Sequence, residues 1–134
     1  MKSVMVMVIA VFALVLANPS PVRSQDLRKE IPQFDIHKEV RISGTVQEVK
    51  DYDCPISGTR GTHLALQTSQ GTVEVHVAAA RFLQEYGIRF NAGDKMEVIG
   101  NMGTYEGKPA FLPRIIMVGN STYYLRDKDG KPLW

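Results

Sequence analysis

Two short runs of strict alternation, separated by four turn-forming residues, constrain this chain more than any other feature. His63-Leu64-Ala65-Leu66-Gln67 and Thr72-Val73-Glu74-Val75-His76-Val77 flank Thr68-Ser69-Gln70-Gly71. A period of two marks a strand with one buried face, and two such runs around a short turn read as a β-hairpin. Leu64 and Leu66 must then share a core face with Val73, Val75 and Val77. Only two of the short loops allow that: Ser69-Gln70 sets His63 directly opposite His76, and Gln70-Gly71 sets them on a diagonal. In both registers His63, Ala65, Gln67, Glu74 and His76 point together to the other side.

The hairpin predicts the neighbours it needs. Val40, Ile42, Gly44, Val46 and Val49 alternate with polar residues and read as a first strand, with Gly44 marking a bulge or bend. Lys50 to Thr62 is rich in Gly, Pro, Asp and Ser and reads as a loop. After the hairpin, Ala78 to Tyr86 reads as a helix capped by Gly87. Lys95 to Ile99 is a fourth strand, Asn101 to Lys108 a glycine-rich loop, and Ala110 to Val118 a fifth strand whose Pro113 demands an edge or a bulge. Thr122 to Leu125 is extended, Asp127-Lys128-Asp129-Gly130 turns the chain, and Leu133-Trp134 tucks onto the body. A helix between the third and fourth of five strands is the order of an OB barrel. The fold class is therefore all-β with one short helix, a five-stranded OB-fold barrel (β1-β2-β3-α-β4-β5) plus a C-terminal extended segment.

The amino terminus has a different character. Lys2 precedes an apolar run of 14 residues, Val4 to Ala17, which Asn18, Pro19, Ser20 and Pro21 then break. Val22-Arg23-Ser24 supplies a cleavage context before Gln25, completing the layout of a secretory signal. The run is short of the roughly 18–20 residues that span a bilayer, which favours a cleaved signal over a retained anchor, with a cut after Ala17 as the other cleavage site, and no transmembrane span is expected after cleavage. The expected organisation is a signal peptide over 1–24, a polar leader over 25–38 and an OB-fold domain over 39–134. The location is periplasmic or secreted. Of the 134 residues, 44% are hydrophobic, enough for one core. That core must hold without an internal disulfide, because Cys54 is the single cysteine.

The strand RISGTVQEV, the hairpin GTHLALQT…GTVEVHV, the helix AARFLQEYG, the segment GDKMEVIG and the closing LRDKDGKPLW resemble a group of small exported bacterial OB-fold proteins. Most of that group is uncharacterised, and a subgroup is associated with magnetosome gene clusters. The resemblance covers Val40 to Trp134. It implies an exported, non-enzymatic binding or assembly module, acting in the cell envelope on a protein partner. Relatives often carry Gly-Pro after the third strand, where this chain has Ala78-Ala79.

Three functional readings follow from the hairpin's outward face, where OB folds bind their ligands. As a protein-binding surface it presents Tyr52, His63, Gln67, Glu74, His76 and Tyr105, and no cofactor is expected. As a metal site it offers His63 and His76, with Cys54 and Asp53 in the adjoining loop. Two imidazoles and a thiolate suit copper or zinc. As a single-stranded nucleic-acid surface it offers Tyr52 and Tyr105, on the two bordering loops, for stacking. Charge argues against that third reading. Residues 1–24 carry Lys2, Arg23 and no acid, so the mature chain balances fourteen bases against fourteen acids and lacks the basic excess that phosphate binding draws on. No enzyme is expected: Ser57, Ser69 and Ser121 lack a nucleophile-elbow setting, and Cys54 has no orienting triad.

Overall fold

The computed structural model describes residues 31–134. The expected signal peptide and the first part of the leader lie outside the described residues. Six strands and one short helix follow in the order β1 (Val40–Cys54), β2 (Thr59–Thr68), β3 (Gly71–Ala79), α1 (Ala80–Glu85), β4 (Lys95–Tyr105), β5 (Lys108–Val118) and β6 (Ser121–Tyr124). The sheet runs β3-β2-β1-β4-β5-β6, and a parallel pairing of β3 with β5 curls it into a ring. That closure is thin, resting on Glu74 opposite Ala110 and Val75 opposite Phe111. The class and strand order are those expected of an OB-type barrel. The C-terminal extended segment supplies β6, paired antiparallel with β5. Among the described residues, no helix is long and apolar enough to cross a membrane.

The core follows the alternation. Leu64, Leu66, Val73, Val75 and Val77 are buried together with Val46, Val98, Phe111, Ile116 and Leu125. Each such side chain contributes about 1.5–3 kcal/mol by leaving water. Two glycines make the curvature possible. A Cβ on Gly44 would lie 2.3 Å from the Gln67 carbonyl oxygen, and one on Gly100 would lie 2.0 Å from that of Leu112. Register shifts at Val46/Glu48 and at Ile99/Gly100 then bend the sheet. The second shift leaves Arg114 as an extra residue beside Pro113, the bulge that proline demanded, and Arg114 pairs with Glu39.

Several boundaries differ from the sequence reading. β1 continues through Lys50-Asp51-Tyr52-Asp53-Cys54, so only residues 55–58 form the loop before β2. The long first strand serves two partners, β4 along its first half and β2 along its second, and its polar residues there face outward. Likewise β4 runs to Tyr105, and its hairpin with β5 turns on Glu106 (φ 54°) and Gly107 (φ 76°) alone. Two consecutive left-handed residues match the twist of the flanking strands. β3 extends to Ala79, which shortens the helix to Ala80–Glu85, and Gly87 (φ 65°) follows it as the left-handed stop.

The two ends of the described chain meet on the barrel. Asn101 binds the Asp35 backbone from both sides, accepting from its N–H at 2.6 Å and donating to its carbonyl at 2.9 Å. The Arg126 guanidinium lies between the rings of Phe34 (4.8 Å) and Trp134 (5.2 Å). Trp134 in turn donates from Nε1 to the Ser57 carbonyl at 3.1 Å. Trp134 therefore tucks in as expected, while the Leu133 side chain stays exposed.

Candidate metal centre

The β2–β3 register fixes the first two donors. Thr68 faces Gly71, which makes Ser69-Gln70 the two-residue loop, and counting back sets His63 directly opposite His76. Just beyond this pair the register shifts, with Thr62 facing Ala78 and Val77 left as the extra residue. The third donor comes from the far end of β1, whose curl brings Cys54 against the same patch. Sγ of Cys54 lies 3.6 Å from His76 Nδ1. One donor atom from each of Cys54, His63 and His76 can be chosen so that all lie within 4.8 Å of one another.

These side chains do not lie on an open, solvated face. His63 is 2% exposed, His76 4% and Cys54 4%. The cover is aromatic. Tyr52 stacks flat on His63 with centroids 3.6 Å apart and planes 10° from parallel. Tyr105 meets His76 edge-on at 5.6 Å, and the two imidazoles meet edge-on at 4.8 Å. Alternation places residues on faces, but it carries no information about what a distant strand lays over that face.

Burial without partners is the telling property. Both ring nitrogens of His63 and Nε2 of His76 are buried and make no well-formed hydrogen bond, although the Gly61 backbone stands near enough to His63 to favour its charged form. An orphaned buried polar group costs about 1–3 kcal/mol, which native folds rarely tolerate without a reason. Burial, and next the neighbouring His76, push His63 down to about 4, against the opposing pull of Glu74. Burial likewise lowers His76, again opposed by Glu74. Both imidazoles are neutral near pH 7 and keep a lone pair for a Lewis acid.

The remaining candidates divide. Glu74 joins the cluster, its Oε2 standing 3.9 Å from His76 Nε2 while its other oxygen accepts from the Tyr52 hydroxyl. Burial first, and then Glu74, raise Tyr52 well above the ordinary phenol range. Asp53, offered by the sequence as the nearby carboxylate, is exposed and paired in register with Arg60. Gln67 lies apart, at the tip of the hairpin, accepting from Thr72 Oγ1 at 2.9 Å. Tyr52 and Tyr105 sit on strands and not on loops, and one face of the Tyr52 ring is spent on His63. That weakens the stacking platform which the nucleic-acid reading requires. A cleft of about 340 Å³, lined by Lys50, His63, Glu74, Lys108 and Pro109 among others, borders the cluster on its solvent side.

The carboxylate beside His76 is Glu74, whereas Asp53 is exposed. Glu74 alternates onto the same face as both histidines, and that was the signal available. The comparisons point to one group of proteins. The sequence model of the family described as "MamS/MamX magnetosome protein family" matches residues 38–123, a span that contains every residue of the cluster. No curated protein matches the chain.

Proposed function

Because the chain belongs to the MamS/MamX magnetosome protein family, we propose that it is an exported, non-enzymatic binding module of the cell envelope. It takes part in magnetosome assembly and holds one soft or borderline metal ion, copper or zinc, between Cys54, His63 and His76. The observation that carries the metal reading is the buried trio itself, with its donor atoms within 4.8 Å and three imidazole nitrogens unpartnered. Thiolate and neutral imidazole are the ligands such ions prefer. The family supports the assembly role and, with it, a protein partner in the envelope.

The test is a titration of the reduced, metal-free protein with copper(I), copper(II) and zinc(II), alongside the His63→Ala/His76→Ala double variant. The expected result is one ion per chain with a dissociation constant below about 1 µM, lost in the variant. Equal, weak binding by both proteins would retire the metal reading. Export is tested separately by fractionating cells that produce the full chain, and recovery from the cytosol alone would remove that part of the proposal.

A further inference from the structure

His76 presents its two ring nitrogens to different neighbours. Nδ1 faces Cys54 Sγ at 3.6 Å. Nε2 faces Glu74 Oε2 at 3.9 Å, one side-chain adjustment short of a hydrogen bond. A histidine that ligates through one nitrogen almost always donates the N–H of the other to a carboxylate, carbonyl or water, which fixes its tautomer and its angle. The layout therefore gives Nδ1 to an ion beside the sulfur and Nε2–H to Glu74. Nor is Glu74 free to swing. The Tyr52 hydroxyl donates to its other oxygen, and Tyr52 is itself seated flat on His63.

Resting on the metal-binding reading, we infer that Glu74 is the orienting carboxylate of His76 and not a ligand, that Tyr52 fixes Glu74, and that the centre is a three-donor set for monovalent copper. Coordination number agrees, because three protein donors can complete copper(I), whereas zinc would need a fourth ligand such as water. Softness permits it, since thiolate and imidazole donors suit copper(I) as well as zinc.

The experiment compares the full chain with Glu74→Gln and Tyr52→Phe. Copper(I) and zinc(II) affinities are read by competition with chromophoric chelators. Cobalt(II), whose absorption reports on the atoms bound to it, probes the ligand set. Copper(I) binding weakens about 10–100-fold in Glu74→Gln and by a smaller factor in Tyr52→Phe. The thiolate-to-cobalt bands and the stoichiometry of one ion per chain are unchanged in both. Loss or displacement of those bands in Glu74→Gln would make Glu74 a ligand and overturn the inference. Unchanged copper affinity in both variants would overturn it too, as would a parent protein that holds zinc as tightly as copper(I). A parent that binds neither ion overturns the metal reading itself, a different and separable failure.

Discussion

The β2–β3 hairpin carries one alternating pattern along its length, and its two ends use that pattern differently. At the tip, Gln67 and Thr72 face outward, exposed, and spend their polar groups on each other and on Gln47. At the base, His63 and His76 occupy the equivalent outward positions but are buried, and three of their four ring nitrogens lack a well-formed hydrogen bond. The tip is what a fold needs for itself. The base keeps unmatched donors in a dry place, at a cost that packing alone would not impose. Where local rules are broken without local compensation, a ligand is the natural thing to look for.

Acid should separate the two ends most strongly. His63 titrates near 6.5 in the unfolded chain but is held to about 4 when folded. As pH falls through that window the unfolded state takes up a proton that the folded state refuses, so the metal-free protein loses stability between about pH 6.5 and pH 4. The loss at His63 levels off below about pH 4, at roughly 3 kcal/mol. Chemical denaturation at a series of pH values reads this directly. His76 adds in the same direction, and Glu74, the Gly61 backbone and Asp51 oppose the shift by favouring the charged imidazoles. A flat profile across that range would mean that the base is as well solvated as the tip.

Replacing one orphan should sharpen the contrast. His63→Phe keeps a flat ring under Tyr52 and removes both unpartnered nitrogens, so the metal-free protein gains about 1–2 kcal/mol while ion binding is lost. Thermal melts with and without the metal measure both halves of that exchange. If His63→Phe destabilises the metal-free protein, its nitrogens contribute to the fold and the functional argument weakens.

The smallest effect belongs to the tip. Gln67→Ala removes a hydrogen bond that water can replace, and stability changes by no more than about 0.5 kcal/mol. Metal stoichiometry by elemental analysis stays at the parent value. A loss of metal there would join the two ends into one site.

The same contrast explains what was legible in the sequence. Hairpin and core came from Leu64, Leu66, Val73, Val75 and Val77, because alternation beside a short turn is a local signal, but it left two registers and the structure has the one that sets His63 opposite His76. The long second half of β1 was not legible. Lys50, Asp51 and Asp53 have the composition of a loop, and they stay polar because each is exposed to solvent although the strand they belong to is paired. The burial of His63 and His76 was equally hidden, since their cover comes from Tyr52 and Tyr105, remote in sequence and mistaken for loop residues. The clasp of Phe34, Arg126 and Trp134 joins residues so far apart that no local pattern announces it.

The thin parallel seam between β3 and β5 has a consequence in time. Cys54, His63 and His76 all belong to the first meander, β1 through β3, whose neighbours pair through short connections. Tyr105 and the closing strand belong to the second. Short-range pairings form early and long-range closure late, because loop entropy is spent before distant contacts return it. On that ground the chain is expected to gather its donors before it shuts the ring over them, so that an ion present during folding would meet an assembled but still open cradle.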